Sequence, residues 1–373
     1  MNENAARRYP RWTRVAQEMA HIHLRKTQNG RYDLTPAEKV WRDLQPILRQ
    51  HGYRLRPRYN AEWKPSWVGT NIDPYWCEDS IKLLTGNVID ATRDSDGLSV
   101  AIKRVDRASD ELEIAKFLSS PELRQDPFNH YVPILDVFSD PVTQGQQYLV
   151  MPNLRPFDEP EFAYVGEAAD FVEQTLQGLL SMHEHNVAHL DCARFNIMMD
   201  ATALYPQGWH PQRRHRAPDA LTELPAPPSR IDRPVRYYFI DFRHSVQFAA
   251  GESPSTSKRC TSCQEKTVPE LLIDAPYDAY KVDVYTLGCV YRRALCQKFT
   301  GLEFLQPLVS AMTDQEPSRR PSAADAVALL RRIRTQLDPA RMRRRLRPVH
   351  ETFPVRVVRD AVAAVNSIVR RVE

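Results

Sequence analysis

The chain has 373 residues, 42% hydrophobic and 26% charged, so it is long enough for two lobes with buried cores and too apolar for a wholly disordered protein. Its net charge of +4 is too mild to demand a nucleic-acid partner. No uncharged run of about 18 residues occurs and the first thirty residues hold no apolar core with a cleavage site, so neither a transmembrane segment nor secretion is expected.

In chain order, Thr35-Pro36-Ala37-Glu38 carries the spacing of a capping box with proline at the first helical position. Trp41, Leu44, Ile47 and Leu48 then form one apolar stripe, and Gly52 ends the predicted helix. Tyr53, Tyr59, Trp63 and Trp67 follow at a density that predicts an ordered coat on the first lobe. Strands are predicted at Lys82 to Thr85, Val88 to Ala91, Leu98 to Val105, Ile134 to Phe138 and Gln147 to Met151, with a helix from Ser109 to Leu118 among them. After Gly166 the spacing of Phe171, Leu176, Leu179 and Met182 is helical, up to Asn186. Seven prolines between 206 and 234 forbid a regular helix or central strand over 201–235, which therefore reads as an exposed insertion.

Three groups of residues carry chemistry. Val100-Ala101-Ile102-Lys103 puts a lysine on an interior strand, where an ammonium needs a carboxylate partner. Glu111 is the preferred partner and Glu113 the alternate, on a helix whose Ile114, Ala115 and Leu118 share a face with Glu111. His189-Leu190-Asp191, with Asn196 five residues past the aspartate, joins a helix end to an apolar strand. Asp241-Phe242-Arg243 ends the apolar run Tyr237 to Ile240, where a carboxylate seldom goes unpaired.

In this order these residues resemble the eukaryotic protein kinase family over roughly Ser80 to Leu337. The resemblance implies an α+β, two-lobed protein kinase fold with a small β-rich N-lobe and a mainly helical C-lobe. It divides the chain into a helical and aromatic extension (1–75), an N-lobe (76–154), a C-lobe (155–338) containing the Pro-rich insertion, and a basic tail with a helix (339–373). By the same resemblance Asp191 is the catalytic base, Lys103 and Glu111 the phosphate-binding pair, and Asn196 and Asp241 the ligands of Mg²⁺. The nucleotide, ATP, is implied to rest on Gly86, Val88, Ala101, Lys103, Met151, Pro152 and Leu154. Pro152 lacks an N–H but keeps its carbonyl, which is all that adenine's amino group asks of that position. His189 and Phe242 would belong to the packed spine. Val268-Pro269-Glu270 resembles the end of an activation segment latched by Arg320, and Asp283 is implied to hold the catalytic-loop backbone. The expected activity is transfer of the γ-phosphoryl group to a Ser or Thr hydroxyl of a protein substrate. The alternative is a pseudokinase that works as a nucleotide-binding or partner-binding scaffold.

Several positions depart from the family pattern. Ile81 and Leu83 stand where two glycines of the phosphate loop would be, Leu190 replaces the arginine before the base, Ala193 replaces the lysine two residues past it, and Arg243 replaces the glycine of Asp-Phe-Gly. Arg194 offers a positive charge next to Ala193, along a different direction. Tyrosine-directed kinases place Arg two or four residues past the base, whereas Arg194 falls at three.

Outside that pattern, six cysteines in so long a chain point to a reducing intracellular compartment, cytoplasm and nucleus being equally compatible. Cys260-x-x-Cys263 lacks a second pair for zinc and reads as a redox or bland surface pair; Cys192 is either reactive or simply buried. Ser253, Ser255, Thr256 and Ser257 read as an exposed loop. The basic run Arg341 to Arg347 reads as a solvated face, with nothing raising nucleic-acid binding above it. The Val-rich stretch after Pro354 reads as a helix docking on its own lobe.

Overall fold

The computed structural model describes residues 9–141, 143–258, 262–357 and 359–360. Helix and sheet are mixed, and the chain divides into two compact units: one built from residues up to Ala108, 134–153 and 205–227, the other from 109–133, 154–204 and from Pro228 onward.

Unit 1 is organised by an antiparallel five-stranded sheet in the order β1-β2-β3-β5-β4: β1 (Tyr53–Arg54), β2 (Val88–Arg93), β3 (Ser99–Asp106), β4 (Asp136–Ser139) and β5 (Gln146–Pro152). Two helices precede it, α1 (Gln17–Gln28) and α2 (Pro36–Gln50). The capping box is formed at α2, and Gly52 at φ +80 follows the helix as the sequence suggests. Trp41, Leu44 and Leu48 of α2 pack into one buried cluster with Ile89, Ala91, Val100, Ile102, Tyr148 and Val150 of the sheet. Because side chains alternate along a strand, the pairings Val88↔Lys103, Ala101↔Met151 and Lys103↔Leu149 put Val88, Ala101, Lys103 and Met151 together on the opposite face.

Glu38 does more than cap its helix. Its buried carboxylate accepts from Thr35 N–H (2.9 Å), from Arg58 Nε (3.0 Å), from Tyr59 Oη (3.2 Å) and from the amide of Leu83 (3.0 Å). Burial pushes the Glu38 carboxyl up, but the Thr35 amide, the Arg58 charge and the Leu83 amide outweigh it and hold it below the usual carboxylate range. The bond to Leu83 explains a failed expectation: Lys82 to Thr85 is not a strand. That segment is drawn onto α2, where Trp41 Nε1 also donates to Gly86 O (2.9 Å), and the outer partner of β2 is the short β1 instead.

The Pro-rich insertion is not exposed as expected. Residues 205–227 belong to unit 1, where Arg213 lies over Tyr75 (4.6 Å), Arg216 over Trp76 (5.2 Å), and Leu221 is buried with Tyr9, Trp67, Ile72 and Cys77. Proline excludes helix and central strand from this stretch, as the sequence indicates, but it does not prevent burial of Trp209, Leu221 and the arginine stems between the prolines.

Unit 2 contains α3 (Glu111–Leu118), α4 (Val165–Glu184), α5 (Ala279–Tyr291), α6 (Gln306–Met312) and α7 (Ala323–Thr335), with a three-stranded sheet of β6 (Arg155–Pro156), β8 (Ile197–Asp200) and β9 (Arg236–Phe239). A two-residue strand, β7 (Val187–Ala188), pairs with β10 (Val246–Gln247). Asn186 follows α4 at φ 60, the left-handed conformation its side chain tolerates. Gly178 is required by packing, since a Cβ there would lie 2.6 Å from His130 Cβ. Glu270 and Arg320 form a buried bidentate pair (2.6 and 2.9 Å). The basic run after Pro339 is not simply a solvated face: Arg345, largely covered, pairs with Glu351 (2.6 Å) and Asp360 (2.7 Å). Val358, Val362, Val365 and Val369 of the expected docking helix lie outside the described residues. Among the described residues no helix is long and apolar enough to cross a membrane.

Candidate active site

The best-formed part of the site is the loop between β7 and β8, and it is held from α5. Asp283 is fully buried, and its carboxylate accepts from the amides of His189 (2.8 Å) and Leu190 (2.6 Å). His183 Nε2 lies 3.0 Å from the same group. Leu190 is at φ 62, a conformation costly for a branched side chain, so the two amide bonds hold a turn that the sequence alone would not adopt. His189 lies tilted against Phe242 (5.2 Å between rings) and bridges two backbones, with Nε2 3.1 Å from Ile240 O and Nδ1 accepting from the Asp191 amide at 3.3 Å. A carbonyl can only accept and an amide can only donate, so the ring proton is on Nε2.

This turn presents Asp191. Its Oδ2 accepts from Asn196 Nδ2 (2.8 Å), and its Oδ1 accepts from the backbone amide of Gln264 (3.0 Å). Gln264 Nε2 approaches Oδ2 at 3.5 Å while its Oε1 accepts from Phe195 N–H (3.0 Å). Three donors therefore lie on a carboxylate with about four lone-pair sites, leaving room for one hydroxyl. Asn196 is tied in turn to the end of β9, its carbonyl accepting from Ile240 N–H (2.9 Å).

Asp241 follows immediately, at φ 65 and ψ 72, and Arg243 Nη2 donates to its Oδ2 at 2.9 Å. The turn from Phe242 to His244 packs against α3, whose first residue is the buried Glu111, and the charges of both Glu111 and Asp191 reach Arg243. As oxygen donors Asp241 and Asn196 suit a hard cation such as Mg²⁺: with Nδ2 of Asn196 committed to Asp191, Oδ1 is the atom it can offer. Arg243 competes for the same carboxylate.

Unit 2 thus brings Asp191, Asn196, Asp241 and Glu111 into one neighbourhood, and it also contains Leu154, just before β6. Gly86, Val88, Ala101, Lys103, Met151 and Pro152 belong to unit 1, where four of them share the sheet face described above. That face also carries Asp90, the direct partner of Ala101, and the insertion reaches it: Gln212 Nε2 donates to Asp90 Oδ1 at 2.9 Å, beside Arg56 at 2.8 Å. Among the described residues no glycine-loop hairpin is formed, since Lys82 to Thr85 lies on α2.

No protein-family model matches the chain, and no curated protein does.

Arg194 turns to Asp158, with Nε at 3.0 Å and Nη2 at 2.6 Å from one carboxylate oxygen. Cys192 is completely buried, and burial, then the Asp283 and Asp191 charges, push its thiol well above the ordinary range, so it is not a reactive thiolate. Cys263 is disulfide-bonded, against the expectation that the six cysteines stay reduced; Cys260 lies outside the described residues. Asp158, Gln264 and Arg293 carry no motif and join the neighbourhood of Asp191 in unit 2 only through long-range contacts, Gln264 reaching Asp191 across 73 residues, while in unit 1 Gln212 reaches Asp90 across 122. No periodicity in the sequence could have singled them out.

Proposed function

We propose that this chain is a protein kinase with the two-lobed fold of that family, transferring the γ-phosphoryl group of ATP, with Mg²⁺, to a Ser or Thr hydroxyl of a protein substrate. The observation that carries the proposal is the Asp283 frame: a buried carboxylate on a central helix fixes a strained His-Leu-Asp turn so that Asp191 and Asn196 meet at 2.8 Å. That effort is hard to explain for a turn with no chemistry, because left-handed leucine costs roughly 1–3 kcal/mol.

In this mechanism Asp191 orients the acceptor hydroxyl and receives its proton, and Asn196 holds Asp191 in place. Lys103 binds the nucleotide phosphates from the sheet face it shares with Val88 and Ala101, and Glu111 is its intended partner. Magnesium supplies charge neutralisation at the phosphates when bound. Arg194, engaged by Asp158, contributes nothing to the transferring group. The buried Glu270–Arg320 pair supports the segment that brings Gln264 to Asp191.

A second reading has an observation of its own. Arg243 already neutralises Asp241, and Gln212 and Arg56 crowd the nucleotide face, as in a scaffold that has given up turnover. Phosphate transfer by wild type and by Asp191→Asn, beside thermal stabilisation by Mg·ATP, separates the two: stabilisation without transfer belongs to the scaffold.

A further inference from the structure

Next to Asp191, unit 2 holds an open cavity of about 480 Å³ lined by the apolar Ala193, Val290 and Ala294 and by five ionised side chains, Asp158, Arg194, Glu265, Arg293 and Lys298. Arg194 is paired with Asp158 and Arg293 with Glu265, the latter through both carboxylate oxygens. Lys298, the fifth, pairs with Glu161 (2.7 Å); within the two arginine pairs the formal charges cancel, but their exposure does not. The Arg194 and Arg293 side chains are 54% and 52% exposed, whereas Asp158 and Glu265 are 8% and 5% exposed. Asp158 Oδ2 is covered by Arg194 and its Oδ1 is enclosed by protein atoms, so neither oxygen can meet a basic group from outside.

From this asymmetry we infer that the cavity is a recognition site for an acidic residue, Asp, Glu or a phosphorylated side chain, close to the acceptor hydroxyl of the protein substrate. The inference rests on the phosphotransfer proposal for Asp191 as the acceptor site. Each guanidinium is locked in place by a buried carboxylate, so it presents its outward N–H groups to a ligand with little rotamer entropy left to lose. Arg194 is further steadied over the Phe195 ring at 5.4 Å, and Phe195, largely exposed at the mouth, adds apolar surface for the peptide. Gln264 lines the same cavity and bonds Asp191, which ties the subsite to the base through one residue. A basic peptide would have to displace Arg194 from Asp158 before finding a partner.

The test is fluorescence anisotropy on the full chain with two labelled serine heptapeptides, one flanked by Asp and Glu and one by Lys and Arg, at low and at moderate salt. The acidic peptide should bind at least about ten-fold more tightly, with the difference shrinking as salt rises. Arg194→Gln or Arg293→Gln should each weaken it about five-fold, the loss of one charge-assisted contact. Since either change strands a buried carboxylate, the pairs Arg194→Gln with Asp158→Asn and Arg293→Gln with Glu265→Gln are measured alongside, with melting curves to establish folding. Tighter binding of the basic peptide, or acidic-peptide affinity unchanged in the folded double variants, overturns the inference. Because binding needs no turnover, a chain that binds the acidic peptide yet transfers no phosphate keeps this site and loses the kinase proposal, and the converse result does the reverse.

Discussion

Arg243 donates to Asp241 Oδ2 at 2.9 Å, so the carboxylate proposed to receive Mg²⁺ already carries a cation from its own turn. In the kinase pattern a glycine stands at this position, free in φ and ψ and without charge. Arg243→Gly should therefore strengthen Mg²⁺ dependence: the Mg²⁺ concentration giving half-maximal ATP stabilisation should fall about five-fold, equivalent to ~1 kcal/mol for a half-exposed pair. A thermal-shift titration of Mg²⁺ at fixed ATP reads this directly, and an unchanged midpoint would show that Arg243 does not compete.

Asp283 satisfies two buried amides and a strained Leu190 at once. Asp283→Ala leaves both donors without their acceptor, at about 1–3 kcal/mol each. The urea midpoint of unit 2 should fall accordingly, while Asp283→Asn, retaining one acceptor oxygen, should lose less. Equal losses would argue that packing, not hydrogen bonding, sets the role of Asp283.

The insertion touches the sheet face of Val88, Ala101 and Lys103 through Gln212 and Asp90. Gln212→Ala removes that bond without altering the sheet. If the insertion limits access to that face, ATP affinity rises two- to five-fold, on the order of 1 kcal/mol for one hydrogen bond. Equilibrium binding of a fluorescent ATP analogue checks it, and unchanged affinity would place the insertion outside nucleotide control.

His130 is buried beside Tyr237 O (2.9 Å), and burial pulls its imidazole down from 6.5 to about 4, opposed by that hydrogen bond. The unfolded ring takes up a proton near 6.5 and the folded ring only near 4, so between these values the unfolded state binds more protons. Stability from this residue is complete above about pH 6.5 and declines as pH falls towards 4, by up to roughly 3 kcal/mol. Denaturant midpoints of wild type and His130→Gln across that window should diverge at pH 7 and converge near pH 4. Parallel curves would remove His130 as the cause.

Much of this organisation was readable from residue patterns. The capping box at Thr35, the apolar stripe of α2, the alternation in β2, β3 and β5, and the buried run of α4 each follow a local rule, and each is found close to its expected bounds. The His-Leu-Asp segment was recognisable because its neighbours in sequence are its neighbours in space. What local pattern could not supply was competition from distant partners. Leu83 lost its strand to Glu38, a helix cap 45 residues earlier, and the insertion was buried by Trp76 and Tyr75. Arg194 was visible as a charge beside the base, but only Asp158, 36 residues away, decides where it points. Gln264 carried no signal because glutamine is ordinary on any surface segment.

The most direct test is incorporation of γ-labelled phosphate from ATP into a serine peptide, with Mg²⁺, by wild type and by Asp191→Asn at matched folded concentration. The expected result is Mg²⁺-dependent transfer by wild type and a loss of at least about 10²-fold in the variant, with thermal stabilisation by Mg·ATP retained in both. Equal incorporation by the two proteins, or none by wild type in the presence of saturating Mg·ATP, would contradict the assignment of Asp191 as a catalytic base.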